Sequence, residues 1–419
     1  MASMSPVQDA ILYQNPSKTI VLLDIPRSIS FAQGTPSHPC TGQIISSPAP
    51  ETPFPSTEPK TSKARARLLE MKLQEDPSTQ FPEQLLQRAL EGIRAQFDGV
   101  WCLERKVSPT SSPKQDRKRK FDKGSLAVTT AYISTDVVSE KHETSDLSTH
   151  DFGYTIDLFA FSNASRANPC PNVNQLANCL CYNPCPHPVF FKHTDSHSQL
   201  PITYMIPPNA SFLLSKINSE TALAMSMATL TMYPEASATA DRGQFDFILL
   251  DPPWENRSAR RSAKYDTMRD PEPMEVLQNI LGQHIAENGL VACWITNKAS
   301  VRYAALEAFE VWDVHVIEEW AWLKVTTKGE PVTPLDGLWR KPYEILLLGR
   351  KRALNAEQPS QDLLRRVIVG VPDFHSRKPN IKALMEPMLP ANCRAQEIFA
   401  RNLTAEGFAW GDEVLKYAA

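Results

Sequence analysis

Residues 245–254 read FDFILLDPPW. Phe245, Phe247, Ile248, Leu249 and Leu250 form a short, nearly continuous apolar run, the signature of a strand covered on both faces. Outward from it the same texture repeats. Strand-like runs at 290–296 (LVACWIT), 312–317, 343–348 (YEILLL) and 397–400 alternate with helix-like runs at 274–287, 299–309 and 381–388. Strands and helices taking turns predict an α/β fold, a mostly parallel sheet with helices on both faces. In such sheets ligands sit at the carboxyl ends of strands. The residues after Leu250 are therefore the ones to read for chemistry.

They are Asp251, Pro252, Pro253 and Trp254. The exocyclic amine of adenine or cytosine is a poor nucleophile, because its lone pair is delocalised into the ring. A carboxylate such as Asp251 and a backbone carbonyl such as that of Pro252 can accept its two hydrogens and let the nitrogen gain sp3 character toward a methyl donor. The prolines, Pro253 included, fix φ and hold these acceptors still. Trp254 offers a flat face for a base, a contact worth roughly 1–3 kcal/mol. Asp-Pro at a strand end is also an ordinary turn. Beyond it, Asn256, Arg257, Arg260, Arg261 and Lys264 of ENRSARRSAK stand where a loop meets substrate phosphates or simply faces water.

Composition narrows the class. A chain of 419 residues predicts two or three folding units, and 42% hydrophobic with 22% charged residues is globular usage. No apolar run approaches the roughly 18 residues that cross a bilayer, so no membrane association is expected. The first twenty residues lack a secretory pattern, which predicts an intracellular chain with reduced thiols. Net charge is −3, so any polyanion site is local. Nowhere do two glycines stand one residue apart. That excludes the GxGxxG and P-loop phosphate cradles, and with them NAD, FAD and ATP machinery of those kinds.

Three units follow: 1–62, an N-terminal segment with a linker crowded with Pro, Ser and Thr from 35 to 62; 63–200, an accessory region; and 201–419, the main domain. We expect the linker to be mobile and the N-terminal region partly helical and partly disordered. Helical periodicity appears at 63–74 and 82–97. The basic run KQDRKRKFDK at 114–123 fits a nuclear import signal, a phosphate-contacting arm or a solvated loop. Cys170, Cys179, Cys181 and Cys185 are a candidate zinc set without CxxC knuckles, set against plain loop cysteines.

DPPWENRSARRS, EEWAWLKVTTKGEPVTPLD, RKPYEILLLGR, HSRKP, EIFARNL and WGDEVLK, with YMIPPNASFLLS upstream, stand in the order of a known family. The chain from 201 to 419 resembles the N6-adenosine methyltransferases of the seventy-kilodalton-subunit family, closest to the methyltransferase-like four branch. The resemblance implies a permuted Rossmann-like methyltransferase domain using S-adenosylmethionine, with Asp251, Pro252, Pro253 and Trp254 at the target amine. It also places Asp251 near the methionine end of the cofactor, Lys378 on the cofactor carboxylate, Glu397, Arg401 and Asn402 around the ribose, and Ile217 by the adenine. Asp412 and Glu413 are further cofactor positions. Lys216 and Asp412 depart from the family's usual Asp and Asn. The implied function is adenine-N6 methylation of RNA in the nucleus, at 2′-O-methyladenosine of U2 small nuclear RNA, by a monomer without an obligate protein partner. DNA adenine methylation, protein glutamine methylation and an inactive RNA-binding partner are the alternatives.

Overall fold

The computed structural model describes residues 10–55, 58–73, 80–107, 158–160, 173–194, 201–232, 243–254, 273–338, 340–352 and 363–418. Among them one twelve-stranded sheet dominates. Its order is Ile11–Gln14, Ile20–Leu23, Leu364–Gly370, Val314–Lys324, Tyr343–Lys351, Ile285–Ile295, Phe245–Leu250, Ala395–Ile398, Gly407–Gly411, Ser211–Leu214, Leu180–Tyr182 and Leu158–Ala160. From Ile285–Ile295 to Ser211–Leu214 five consecutive strands run parallel. Tyr343–Lys351 is antiparallel to both of its neighbours. The expected mostly parallel α/β sheet is what forms.

Both faces are covered, as the unbroken apolar strands require. Ile248 and Leu250 enter one core with Leu86, Ala89, Leu90 and Ile93 of helix Glu83–Gln96, and with Val276, Leu277, Val301 and Ala305 of helices Pro273–Ile280 and Ala299–Val311. Each fully buried Leu or Ile contributes roughly 1.5–3 kcal/mol. Phe247 and Leu249 face the other way, against Ile25 and Ile29 of helix Ile25–Ala32 and Ile381 and Met385 beside helix Lys382–Met385.

Five expectations are corrected. The described part of the 35–62 segment is no free linker: Ile45–Ser46 pairs in parallel with Lys106–Val107, Phe54 N donates to Val332 O at 2.8 Å, and Thr327 N donates to Pro50 O at 2.9 Å. Further upstream, Ile20–Leu23 is a strand of the main sheet, parallel to Leu364–Gly370. Residue 201 therefore marks where the resemblance begins, not where the sheet begins. Helix 274–287 is shorter than expected, Pro273–Ile280 and one 3-10 turn, because the chain must start its next strand at Ile285. The 312–317 strand runs on to Lys324, and the 397–400 strand lies two residues earlier, at Ala395–Ile398.

Candidate active site

The parallel strands end together. Leu250 is opposite Ile398, Ile398 opposite Trp410, and Trp410 opposite Leu213. The residues that follow therefore share one edge of the sheet: Asp251, Phe399, Gly411 and the Leu214–Ser215 corner. Asp251 is fixed there by its backbone N–H, which donates to Ile398 O at 3.3 Å. Beneath it opens a cleft whose lining includes Asp251, Trp294, Lys378, Glu397, Arg401 and Asn402.

Asp251 is 8% exposed and held from both sides. Oδ1 accepts from Lys378 Nζ at 2.9 Å, and Oδ2 accepts from Arg401 Nη1. Each cation has a second carboxylate: Lys378 Nζ lies 3.1 Å from Glu344 Oε2, and Arg401 Nε lies 2.9 Å from Glu413 Oε2. Lys324 closes one end on Glu344 and Lys416 the other on Glu413, the latter at 2.7 Å. The result is a chain of alternating charge, Lys324, Glu344, Lys378, Asp251, Arg401, Glu413 and Lys416. Burial pushes the Glu344 carboxyl up, but Lys324 and Lys378 outweigh it and hold the group at about 2. Burial likewise opposes the Lys378 charge, and Asp251 and Glu344 more than restore it, so its pKa is raised.

Glu397 stands outside this chain of pairs. It lines the cleft with no ion pair among the described residues; burial, then the Asp251 charge, push it up to about 8 against the pull of Arg401. Two left-handed residues also line the cleft, Ser376 at φ 70° and Phe399 at φ 61°. Side-chain residues rarely adopt that region, and such strain clusters where a site fixes the backbone.

The loop carrying Lys378 is stapled by the N-terminal segment. Asp373 Oδ1 accepts from Ser47 N at 2.7 Å and from Ser47 Oγ at 3.1 Å. Arg105 donates to Val371 O, Pro372 O and Ser47 O at 2.8–3.1 Å. Arg377 donates to Ile45 O at 2.8 Å and to Asp373 Oδ2 at 2.6 Å, its guanidinium 4.2 Å from the Tyr417 ring centroid and 5.0 Å from that of Phe374. These charges are almost wholly buried.

Asp251, Lys378, Glu397, Arg401 and Asn402, far apart in the chain, are thus brought into one cleft, and Glu413 joins through Arg401. Asp412 lies beside them at the surface, where partial desolvation of its carboxyl, then the Glu413 charge, raise its pKa. Ile217 is buried at the adjoining corner, where Ser215 N donates to Gly411 O at 3.3 Å. Trp254 donates its indole N–H to Trp294 O at 2.7 Å, and its backbone N–H to Pro252 O at 2.8 Å. That bond takes one lone pair of the Pro252 carbonyl and leaves the second. Pro252 is buried and Pro253 exposed. Asn256, Arg257, Arg260, Arg261 and Lys264 lie outside the described residues, as do Cys170 and the 114–123 cluster. Cys181 is buried with its thiol toward Leu176 O, Cys179 donates to Gln175 O, and Cys185 is half-buried. Among the described residues no three His, Cys, Asp or Glu side chains gather as metal ligands.

Comparison with known proteins adds the lineage. Residues 245–413 match the MT-A70 family. Over 97% of its own length and 94% of the relative's, the chain is 31% identical to the N6-methyladenosine RNA methyltransferase MTA1 of Pyricularia oryzae. The chain belongs to the MT-A70 family. It is also 36% identical to the N(6)-adenine-specific methyltransferase METTL4 of Homo sapiens, across 51% of this chain and 43% of that one. A third relative, 31% identical over 40% of this chain and 45% of its own, is the DNA N6-methyl methyltransferase of Caenorhabditis elegans. The sheet is accordingly a Rossmann-like methyltransferase fold of an N6-adenine methyltransferase family. The match to the Pyricularia protein extends through the N-terminal half, the half that supplies a sheet strand and the staple on the Lys378 loop.

MT-A70 methyltransferases use S-adenosylmethionine, and the cleft suits such a ligand. Among the described residues Asn402 Oδ1 and Trp294 Nε1 are buried without a hydrogen-bond partner, an acceptor and a donor on residues lining the same cavity. Buried polar atoms left unpaired are costly, so a ligand rich in hydroxyl, amine and carboxylate groups answers both. Glu344, Lys324 and Trp294 are site residues that the sequence reading missed. Glu344 opens an antiparallel strand, whose amino end lies at the carboxyl edge of its parallel neighbours; strand polarity leaves no mark in the sequence.

Proposed function

We propose that this protein transfers a methyl group from S-adenosylmethionine to the N6 amine of adenine in RNA. One observation carries the reading: the Asp251 carboxylate, at a parallel strand end, faces a polar cleft between two cations, with Pro252 next in the chain and Trp254 bonded to Trp294, which lines the same cleft. The cofactor supplies a methyl on a sulfonium centre. Asp251 retains lone pairs beyond those taken by Lys378 and Arg401, and with Pro252 O it accepts the two amine hydrogens, draws the nitrogen lone pair out of the ring and orients it. Trp254, pinned by its bond to Trp294 O, offers the base a stacking face. Lys378 meets the cofactor carboxylate; Glu397, Arg401 and Asn402 meet its ribose. A duplex keeps its amine out of reach, so the target is single-stranded, bulged or flipped out.

RNA is favoured because the relative matched over nearly the whole chain is named for RNA. The test is transfer from isotopically labelled S-adenosylmethionine to matched oligonucleotides bearing A, 2′-O-methyl-A or deoxy-A, read by nucleoside mass spectrometry. Label in N6-methyladenosine is expected. Preference for the 2′-O-methyl arm supports the U2 small nuclear RNA target that the branch resemblance implies; label in the deoxy arm alone turns the assignment to DNA. Donor binding without any transfer makes the chain an inactive partner. The proposal includes a nuclear monomer: deletion of Arg117 to Lys120 should leave a tagged protein in the cytoplasm, and an unchanged nuclear signal rejects that cluster as the address.

Glu397 gives the site a pH dependence. The folded chain holds on this group, up to about 8, a proton that an unfolded glutamate releases near 4.5. Its contribution to stability is therefore full below about 4.5 and is lost as pH rises toward 8. Glu397→Gln should melt higher than wild type at pH 8 and not at pH 4.5. Deprotonation also adds a negative charge facing the cationic cofactor, so affinity for S-adenosylmethionine should rise by about tenfold per pH unit at most between pH 6.5 and 8.5. Calorimetry on both proteins checks this: the glutamine variant is expected to show a flat profile.

A further inference from the structure

Helix Ser62–Leu73 differs from the other long helices among the described residues. Of residues 62–70 only Leu68 is partly covered, and Leu69 is 45% exposed. The neighbouring helix Glu83–Gln96, by contrast, buries four apolar side chains. An isolated helix of about 12 residues is marginal in water, and residues 62–70 of this one draw little from packing. Its charges make matters worse. Lys63, Arg65 and Arg67 crowd its amino-terminal half, with no acidic residue in the first turn. Cations at that end oppose the helix dipole. None of the three forms an ion pair or side-chain hydrogen bond within the described residues. The arrangement costs stability when the helix is alone and gains it when anions lie along the helix.

Its place says which anions. Glu58, just before the helix, accepts at Oε1 from Leu338 N at 2.8 Å. Phe81, after it, is buried with its ring 6.3 Å from that of Tyr343. Both flanks are therefore fastened at the amino end of strand Tyr343–Lys351, one at Leu338 and one at Tyr343, on the same sheet edge as Asp251. Asn297 Nδ2 ties that end to the next strand by donating to Tyr343 O at 2.6 Å. One strand, Ile285–Ile295, separates Tyr343–Lys351 from Phe245–Leu250, which is two spacings or about 10 Å at ~4.8 Å each. A polynucleotide whose target base lies at Asp251 carries its flanking phosphates outward over this edge. The 328–340 loop on the same edge mixes exposed Lys328 and Arg340 with exposed Glu330 and Asp336. The first half of the helix is of one sign only.

We infer that Lys63, Arg65 and Arg67 form a phosphate-binding arm that grips the backbone of the substrate strand beside the catalytic cleft. This deepens the proposed function, since it rests on a polynucleotide substrate, but its test does not need methyl transfer. Affinity for a fluorescein-labelled single-stranded oligoribonucleotide is measured by anisotropy between 50 and 200 mM salt for wild type, for K63Q/R65Q/R67Q and for K63E/R65E/R67E. We expect affinity to fall at least about tenfold in the glutamate variant and less in the glutamine variant. The slope of log K against log salt should shrink by about 2, three single-strand contacts at ~0.7 each. Melting temperature should not fall in either variant, because cations that oppose the helix dipole are exchanged for neutral or acidic groups, and affinity for S-adenosylmethionine should stay at the wild-type value, because none of the three is bonded to a cofactor residue within the described residues. Unchanged RNA affinity and salt slope in both variants overturn the arm. Absence of label transfer by wild type that still binds RNA through these residues overturns the catalytic reading and leaves the arm standing.

Discussion

Asp251→Asn should lower kcat by about 10³-fold while the chain still folds. Asparagine keeps the shape but replaces one acceptor oxygen by an NH2 donor, which faces either Lys378 or Arg401 as donor against donor. The amine hydrogens lose the acceptor that must strengthen as the nitrogen leaves the ring plane. A preorganised group of this kind is worth about 10²–10³-fold in rate, and a misdirected donor adds to the loss. Because the interaction develops in the transition state, kcat and kcat/KM should fall together. The cost in stability should be smaller than the roughly 3–5 kcal/mol typical of breaking a buried pair, since Lys378 retains Glu344, Arg401 retains Glu413, and both cations are 17% exposed. Single-turnover kinetics with purified variant and a melting curve check both. A variant that methylates at the wild-type rate would remove Asp251 from the mechanism.

What the sequence allowed differs from element to element, for physical reasons. The strand at 245–250 was legible because every side but one is apolar, and the chemistry after it because an acid, two prolines and a tryptophan carry meaning as a local string. From sequence, strand Val314–Lys324 reads as ending at 317 because Glu318 and Glu319 look solvent-bound. They are buried, and the reason is tertiary: Arg366 lies 2.6 Å from Glu318, Arg365 lies 2.9 Å from Glu319, and Arg302 closes on Glu319 as well. Ile20–Leu23 is four residues long, and a run that short fits a strand or a buried helical turn equally. Its partner, Leu364–Gly370, is distant in the chain, so nothing local signals the pairing. The linker reading of 35–62 failed on the same ground. Proline, serine and threonine cannot build a core, but they can be held by one. Asp373 and Arg105 reach the segment from elsewhere and satisfy its backbone.

The site shows the same division. The resemblance assigns roles to Asp251, Lys378, Arg401 and Glu413; Lys324, Glu344 and Lys416, which complete the charge chain, lie in the same motif strings with no role assigned, because alternation of charge across strand ends is a property of the sheet. Lys378 is bound to two carboxylates, so its position is set before any ligand arrives, and the adjoining Arg377 and Asp373 hold the loop backbone from behind. Preorganisation of this sort reduces the reorganisation needed when the cofactor binds. It also explains why a segment as remote as Ile45–Ser47 bears on the cleft.

Lys378→Met should weaken S-adenosylmethionine binding by about 50-fold. A hydrogen bond to a charged group contributes about 1.5–3 kcal/mol, or roughly 10–150-fold. The loss here has two sources. Asp251 and Glu344 are left without the ammonium between them, so their repulsion is unscreened, and Glu344, held at about 2 with Lys324 and Lys378 present, must rise. The cofactor carboxylate also loses the cation proposed to meet it. The two are separated by comparing S-adenosylmethionine with its decarboxylated analogue. If Lys378 meets the carboxylate, wild type prefers the complete cofactor and the methionine variant discriminates far less, a non-additive result in a two-by-two cycle. If Lys378 serves only to position Asp251, the variant loses the same factor for both donors. In that outcome the cofactor's carboxylate has another partner in the cleft, and Lys378 acts through Asp251 alone.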